Sequence, residues 1–355
     1  MRRHWLSTVI KYGIGLAILA FLVYRYWQPL KVKFSGPIRY ELFLISALCC
    51  GGSAAVTFVR WFLLVRAQDL PFTLRNAFRL GLVGYFFNIF LPGAVGGDLV
   101  KAAFIAREQK RRTVAISTVL MDRAIGLLGL VAMAAIVGSA FWYFGDAAPK
   151  RLIRFAIGLA DGITIVALIS WLSLGALPEH RSQIFARRLH HIPKAGKILA
   201  EMWRAVFLYR RRGLTVIAAL SLTFVTHFLN VMTFYLAILA FQPVGAHAAI
   251  PSLLDHFILV PVGMASQGFN PLPGGIGFTE AIYSAFYEGF GFSGDDGFVA
   301  GVGMRAVQGV LGLGGLLIYL MLRRNLPTSP AVESNPEEVH FAGPLSREVA
   351  GPVAK

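Results

Sequence analysis

One stretch of this chain has the apolar character of a membrane helix but cannot form an unbroken one. Residues 87–98 read FNIFLPGAVGGD, so a proline and three glycines interrupt the apolar run and Asp98 ends it with a charge. Proline and glycine disfavour a helix interior, and a charge in hydrocarbon needs a partner or a function. Residues 269–280 read FNPLPGGIGFTE. A backbone break, preceded by asparagine and followed by an acid, therefore occurs twice.

The composition indicates a polytopic membrane protein. Of the 355 residues, 56% are hydrophobic and only 15% are charged, whereas about a quarter of a soluble domain is charged. The formal net charge of +16 would suggest nucleic acid as the partner of a soluble protein. Here the basic residues cluster between apolar segments, where they set orientation and contact anionic headgroups. We therefore expect membrane lipids as partners and no nucleic acid.

Six apolar segments are long enough to cross a membrane, because roughly 20 residues span the hydrocarbon layer. These predicted spans are 6–27, 42–65, 113–144, 152–177, 214–241 and 298–322. Shorter apolar segments flank the two breaks and predict re-entrant hairpins, at 78–106 and 252–290. The sequence thus predicts an all-α polytopic fold in one transmembrane domain, 1–324, followed by a disordered tail, 325–355. Residues 28–40 are expected to form a polar link.

Basic residues set the predicted orientation. Residues 181–212 hold nine Lys and Arg against the single acid Glu201, which assigns the loop 178–212 to the cytoplasm by the positive-inside rule. The flanks of the second hairpin, 242–251 and 291–297, contain no Lys or Arg. We therefore expect the first hairpin to enter from the cytoplasm and the second from outside. Both termini are expected to be cytoplasmic, in the inner (cell) membrane.

Three polar residues recur at a common offset. An offset of 182 residues relates Asn88 to Asn270, Asp98 to Glu280 and Arg123 to Arg305. The LPG tripeptide matches at an offset of 181, a slip of one residue within the loop. The halves 6–144 and 152–322 also share the order of their segments, with opposite predicted orientation. Paired broken helices in an inverted repeat are typical of transporters with a site near the bilayer midplane.

The candidate site residues lie at the breaks and at the two arginines. We expect Asp98 to approach Arg123 and Glu280 to approach Arg305, within each half or across the pseudo-twofold axis. The glycines allow turns that expose N–H groups at a helix start, where the dipole favours an anion. Alternatively, the acids satisfy those helix starts and the ion pairs only hold the hairpins. The predicted substrate-contacting residues are Asn88, Pro92, Gly93, Gly96, Gly97, Asp98, Arg123, Asn270, Pro273, Gly274, Gly275, Gly277, Glu280 and Arg305.

Other polar residues are secondary candidates. Asp122, His227 and Asn230 lie in predicted spans and can line a polar path or form interhelical hydrogen bonds. The same alternatives hold for Asp161, Asp255 and His256. The sequence contains no Ser/His/Asp or Cys/His arrangement, metal-ligand spacing or nucleotide-binding loop. We therefore expect no cofactor, no metal and no enzymatic activity.

At these motifs the chain resembles the lysylphosphatidylglycerol synthase transmembrane-domain family. The resemblance covers most of residues 6–322 and rests on 88–98, Asp122-Arg123, 270–280 and Arg305. It implies a flippase-like membrane protein that translocates a lipid or a lipid-linked headgroup between leaflets. Members that modify lipids carry an additional aminoacyltransferase domain. This chain is expected to be a stand-alone member without it, so aminoacylation is not implied.

These observations favour a lipid transporter in which Arg123 and Arg305 attract an anionic headgroup or lipid phosphate. One alternative is a membrane-embedded enzyme that modifies a lipid headgroup, with Asp98 and Glu280 as acid and base. Their symmetric placement disfavours it, because such catalysis needs two carboxylates in different environments. Another alternative is a non-catalytic subunit whose partners are the enzymes of an envelope-lipid biosynthesis pathway.

Overall fold

The computed structural model describes residues 2–90, 96–144, 151–192, 196–241, 251–266, 270 and 272–324. Within these residues the fold is all-α. The helices are α1 (Arg2–Arg25), α2 (Trp27–Ser35), α3 (Tyr40–Arg66), α4 (Leu74–Phe90), α5 (Gly96–Glu108), α6 (Arg112–Phe144), α7 (Arg151–Ala176), α8 (Glu179–His190), α9 (Gly196–Tyr209), α10 (Gly213–Phe241), α11 (Leu253–Ser266), α12 (Phe278–Phe290) and α13 (Gly294–Arg324), with a short 3-10 helix at Arg210–Arg212.

In the described part of the chain, five helical stretches have the length and apolar composition needed to cross a membrane. They are Tyr40–Arg66, Arg112–Phe144, Arg154–Ala176, Gly196–Phe241 and Gly294–Met321. They coincide with five of the predicted spans and confirm a polytopic all-α membrane protein. The predicted span 6–27 corresponds to α1, but the side chains of residues 2–9 lie outside the described part of the chain. That α1 crosses the membrane stays a prediction.

Each broken segment folds into two short helices. The first hairpin consists of α4 and α5, with 17 and 13 residues. The second consists of α11 and α12, with 14 and 13 residues. All four helices are shorter than the roughly 20 residues that span a bilayer. The two helices of each hairpin pack against each other. The depth and direction of their insertion stay predictions.

The two halves of the chain interlock along α3 and α10, which pack lengthwise against each other. Polar contacts join these helices, since Ser46 Oγ donates to the Thr233 carbonyl at 2.8 Å and Ser53 Oγ to Asn230 Oδ1 at 2.8 Å. The last helix of each half then packs against the hairpin of the other, with α13 on α4 and α6 on α11. This pairing agrees with the inverted repeat, whose symmetry stays a prediction.

The connection between the first two predicted spans differs from the expectation. A polar link was predicted at 28–40, but Trp27–Ser35 form helix α2. Leu30 of this helix is buried, and Lys33 forms ion pairs with Asp295 and Asp296 at the start of α13. These contacts hold the segment against the protein. Charge alone suggested a link, because the partners of Lys33 are more than 250 residues away in the chain.

The basic loop 178–212 is also more ordered than its charge suggests. It contains α8 and α9, which pack against each other. The rings of Phe185 and Trp203 lie 4.5 Å apart, and Trp203 Nε1 donates to Ser182 Oγ at 3.0 Å. Its cytoplasmic location stays a prediction.

Candidate functional site

A cavity of about 370 Å³ lies between the two hairpins. Helices α3–α6 of the first half and α10–α13 of the second half contribute to its walls, together with Asn270 and Gly274 of the second break. Both hairpins therefore face one internal space.

Six charged side chains of the described residues line this cavity. They are Arg60, Asp98, Lys101, Asp122, Arg123 and Arg305, five of them from the first half. A charge within the apolar part of a membrane costs about 2.5–3.5 kcal/mol on insertion scales, so its partners reveal how it is stabilised.

The second hairpin is closed by a tight ion pair. The Glu280 side chain is fully buried, and Arg305 Nε donates to its Oε1 at 2.6 Å. Arg305 also donates from Nη1 to the Gly274 carbonyl at 2.7 Å and from Nη2 to the Gly275 carbonyl at 2.8 Å. Gly274, Gly275 and Gly277 have φ of 58°, 70° and 77°, which favour glycine because L side chains are strained there. The glycines form the loop and Arg305 fixes it.

The start of α12 is not open to an anion at Gly277. The Gly277 N–H donates to Glu280 Oε2 at 2.9 Å, and the Gly275 N–H donates to the Leu272 carbonyl at 3.1 Å. The expectation that glycine N–H groups face an anion is therefore wrong at Gly277. The alternative, in which the acid satisfies its own helix start, is the arrangement observed here. Glu280 also lies outside the cavity wall, and Arg305 separates it from the cavity.

The first hairpin holds its acid more loosely. Asp98 Oδ1 lies 3.1 Å from Lys101 Nζ, and Asp98 Oδ2 lies 3.4 Å from Arg123 Nη1. Charge-assisted N–H···O bonds are usually about 2.7–2.9 Å long, and Asp98 Oδ2 is buried without a hydrogen-bond partner. The Arg123 side chain is 34% exposed, whereas those of Asp98 and Lys101 are 16% and 8% exposed. Both predicted acid–arginine pairs are thus confirmed, and each forms within its own half.

Asn88 connects the two helices of the first hairpin. Its Oδ1 accepts the N–H of Gly97 at 2.7 Å. A Cβ added at Gly97 would lie 1.9 Å from the Gly84 carbonyl oxygen, so α5 can approach α4 this closely only with glycine there. Asn270 has a comparable local role, since its Oδ1 accepts the Leu272 N–H at 2.9 Å.

Two cations of this site were missed by the sequence analysis. Arg60 donates from Nε to Asp122 Oδ1 at 2.7 Å and from Nη1 to Thr223 Oγ1 at 2.9 Å. Lys101 lies 3.9 Å from Asp122 Oδ2 and 4.9 Å from the centre of the Trp61 ring. Each is a charge inside an apolar helix, the same signal that singled out Asp98. Arg60 and Lys101 are therefore the cationic partners of Asp122.

His227 and Asn230, both secondary candidates, also line the cavity. The His227 Nε2 lies 3.0 Å from the Gly126 carbonyl, while its Nδ1 is buried without a partner. Thr226 Oγ1 is likewise buried without a partner and belongs to the cavity wall. With Asp98, three residues of this wall carry buried polar atoms that form no hydrogen bond to the protein. Such atoms at a charged cavity are typical of a site that is completed by water or a ligand.

Several other candidates lie elsewhere. Asp161 accepts from Ser139 Oγ at 2.9–3.0 Å between α6 and α7. Asp255 accepts from the Ser252 N–H at 2.8 Å at the start of α11, and His256 Nε2 lies 2.8 Å from the Tyr287 hydroxyl oxygen. These three form local hydrogen bonds and are not part of the cavity wall.

The remaining predicted site residues fall into two groups. Pro92 and Gly93 lie outside the described residues, so their proposed roles stay predictions. Gly96, Gly97, Pro273, Gly275 and Gly277 belong to the two breaks but not to the described cavity wall. They shape the backbone around the cavity.

Comparison with known proteins agrees with this architecture. The chain matches the family described as the lysylphosphatidylglycerol synthase TM region over residues 8–315. It is 23% identical over 304 residues to a UPF0104 membrane protein of Pyrococcus horikoshii, covering 78% of this chain and 86% of that protein. It is also 23% identical over 250 residues to a UPF0104 membrane protein of Methanothermobacter thermautotrophicus, covering 66% and 71% respectively.

No solved structure matches the chain significantly. The family match spans most of the sequence and includes both hairpins, both acid–arginine pairs and all the described residues that line the cavity. The chain therefore belongs to the lysylphosphatidylglycerol synthase transmembrane-region family.

Proposed function

We propose that this protein moves a phosphate-bearing lipid, or a lipid-linked headgroup, between the two leaflets of a membrane. The observation that carries the proposal is the charged cavity between the two hairpins. A headgroup crossing a bilayer needs a polar environment near the midplane, because a bare charge in hydrocarbon is costly. A charged cavity walled by both hairpins supports such an environment, and its position near the midplane is part of the proposal.

The size and chemistry of the cavity support this function. Its volume of about 370 Å³ lies in the usual range of small-molecule sites, about 300–1,000 Å³. Four cationic side chains of the residues described above line it against two carboxylates, with Glu280 on the far side of Arg305. A phosphate group would find N–H donors there, while its acyl chains remain in the lipid.

The family supports a lipid-related role in a membrane. Its description refers to the transmembrane region of a lipid synthase, and the two relatives are described only as membrane proteins. The location is proposed to be the inner cell membrane, with both termini and the basic helices α8 and α9 in the cytoplasm, since basic loops are retained there. Enzymes of lipid biosynthesis are proposed as its neighbours.

Reconstitution tests the transport function directly. The purified protein is placed in liposomes that contain phosphatidylglycerol with a fluorescent headgroup-proximal label, and an impermeant reductant quenches the outer leaflet. Transfer is expected to make nearly all of the label accessible over time, whereas protein-free liposomes keep about half of it protected. Equal protection in both preparations, across labelled anionic and zwitterionic lipids, contradicts the proposal.

One observation favours an enzyme as the second candidate. Asp98 and Glu280 have different environments, as acid–base catalysis with two carboxylates requires. The Glu280 carboxylate, however, is fully buried and held by Arg305 and the Gly277 N–H, so it does not reach the cavity. Mass spectrometry of lipids incubated with the protein decides between the two: a new lipid species favours the enzyme, and an unchanged lipid with altered leaflet distribution favours the transporter.

A further inference from the structure

The four cations of the cavity differ in how many of their donors are engaged. An arginine has five N–H donors. Arg305 uses them for both oxygens of Glu280 and for the carbonyls of Gly274 and Gly275. At most one N–H remains for a ligand, so Arg305 acts mainly as a brace for the second break.

Two further cations are buried and engaged. The side chains of Arg60 and Lys101 are 5% and 8% exposed. Arg60 donates to Asp122 and Thr223, and Lys101 lies between the carboxylates of Asp98 and Asp122. A ligand would have to displace internal contacts of these buried side chains in order to bind either residue.

Arg123 is the cation whose N–H donors are least engaged by the protein. Its side chain is 34% exposed and belongs to the cavity wall. Among the described residues its charged partner is Asp98, at 3.4 Å, and Asp98 retains Lys101 at 3.1 Å. An anion can therefore bind Arg123 while Asp98 remains paired with Lys101.

The charges around the cavity leave one unit uncompensated. Among the described residues, four cations, Arg60, Lys101, Arg123 and Arg305, face three carboxylates, those of Asp98, Asp122 and Glu280. With all of them ionised, the site carries one net positive charge. A phosphodiester carries one negative charge, whereas a phosphate monoester carries about two at neutral pH.

We propose that the site selects a phosphodiester with a single net negative charge and that Arg123 is the residue that binds it. This inference rests on the proposed function, because it specifies which headgroup the cavity accepts. A zwitterionic headgroup leaves the excess charge unneutralised, and a dianionic one adds a second negative charge beside Asp98. Both bind more weakly than a monoanion.

Binding measurements on the full-length protein in detergent test this selectivity. Titration calorimetry compares three short-chain lipids: phosphatidylglycerol, phosphatidic acid and phosphatidylcholine. Phosphatidylglycerol is expected to bind about tenfold or more tightly than the other two, the size of one charge-assisted hydrogen bond. Water-soluble glycerophosphoglycerol is the fourth ligand: equal affinity identifies a free phosphodiester as the ligand and overturns a lipid site.

Charge-changing variants sharpen the test. Arg123→Gln removes the excess charge and is expected to abolish the preference for phosphatidylglycerol. Asp98→Asn raises the net charge to two and is expected to shift the preference toward phosphatidic acid. Arg123→Lys keeps the charge and is expected to retain the order of affinities, which provides a second test if Asp98→Asn fails to fold.

A matched control uses an acid outside the cavity. Asp161→Asn removes a carboxylate that contacts Ser139 between α6 and α7, and it is expected to leave all affinities unchanged. Equal affinity of the wild type for the three lipids overturns the inference, as does an unchanged preference in Arg123→Gln. Selective binding without leaflet transfer would contradict the transport function alone, and transfer without selectivity would contradict this inference alone.

Discussion

The two hairpins carry matching residues but use them differently. In the second hairpin Glu280 is fully buried, at 2.6 Å from Arg305 Nε, and the arginine also binds two loop carbonyls. In the first, Asp98 lies 3.4 Å from Arg123, with one carboxylate oxygen unpartnered. The second pair has the contacts of a structural brace, whereas the first keeps donors and acceptors available.

The surroundings of the two pairs differ in the same way. The first hairpin adds Lys101 and faces Arg60 and Asp122. At the offset of 182 residues, the second half has Tyr283 in place of Lys101 and Met304 in place of Asp122. Helix α1 also passes directly against the second break, where a Cβ on Gly277 would lie 2.2 Å from the Gly15 carbonyl oxygen. The second copy of the motif is thus fixed by its contacts, whereas the first copy is surrounded by additional charges and held less tightly.

Removal of one carboxylate charge is the strongest test of this difference. Glu280→Gln is expected to lower the free energy of unfolding by about 3–5 kcal/mol, because it leaves a partly buried arginine without its counter-ion. Asp98→Asn is expected to lower the free energy of unfolding by less, about 1–2 kcal/mol, because Lys101 still has Asp122 as a nearby counter-ion. Thermal unfolding in detergent compares the two variants. Equal losses would show that the pairs have the same structural role.

The glycine loop of the second hairpin provides the next largest effect. Gly277→Ala is expected to destabilise the protein by about 1–3 kcal/mol, since residue 277 has φ of 77° and its Cβ would meet the Gly15 carbonyl. Gly289→Ala, in the helix α12 that follows Gly277, is the control, with open space around the added Cβ. It is expected to be neutral or slightly stabilising. A tolerated Gly277→Ala would mean that α1 does not fix this loop.

The two asparagines test a feature that both hairpins share, a side-chain oxygen that accepts a backbone N–H. Asn88→Ala and Asn270→Ala each remove one side-chain acceptor from a backbone N–H, at 2.7 and 2.9 Å. Each is expected to cost about 1 kcal/mol. Denaturant titration of both variants measures the two losses. If only one of the two variants lost much stability, the two hairpins would differ in their breaks as well as in their ion pairs.

Arg123→Gln is expected to have the smallest effect on stability and a large effect on transport. A partly exposed ion pair contributes about 0–1 kcal/mol, so the unfolding midpoint should hardly change while leaflet transfer of phosphatidylglycerol is lost. Arg79→Gln is the matched control, because Arg79 forms a similarly exposed pair with Glu108 at 3.1 Å outside the cavity. Transfer that survives in Arg123→Gln removes this residue from the pathway.

Much of the fold was predictable because its signals are local. Apolar segments of about 20 residues and broken shorter ones predict spans and hairpins without knowledge of their packing. The common offset also predicted both acid–arginine pairs. Helix α2 was missed because the contacts that hold it against the protein include ion pairs of Lys33 with Asp295 and Asp296, which are distant in sequence.

The site was less predictable, because function depends on which donors remain free. Arg123 and Arg305 look equivalent in the sequence, and only the three-dimensional contacts distinguish them. Arg60 and Lys101 carried a usable signal, a charge within an apolar segment, but neither belongs to a repeated motif. The occupied N–H of Gly277 was one of two alternatives that the sequence left open, because a glutamate three residues after a helix start can bond the backbone there or leave it free for a ligand.

The most direct test of the central claim is to block the cavity during transport. In a background with Cys49→Ala and Cys50→Ala, Leu127→Cys places a thiol on the cavity wall, while Leu120→Cys places one on the same helix outside it. Both leucines are accessible, at 41% and 47% exposure. A bulky maleimide at residue 127 is predicted to reduce leaflet transfer to the protein-free rate and at residue 120 to leave it unchanged. Undiminished transfer in fully labelled Leu127→Cys would contradict a lipid pathway through this cavity.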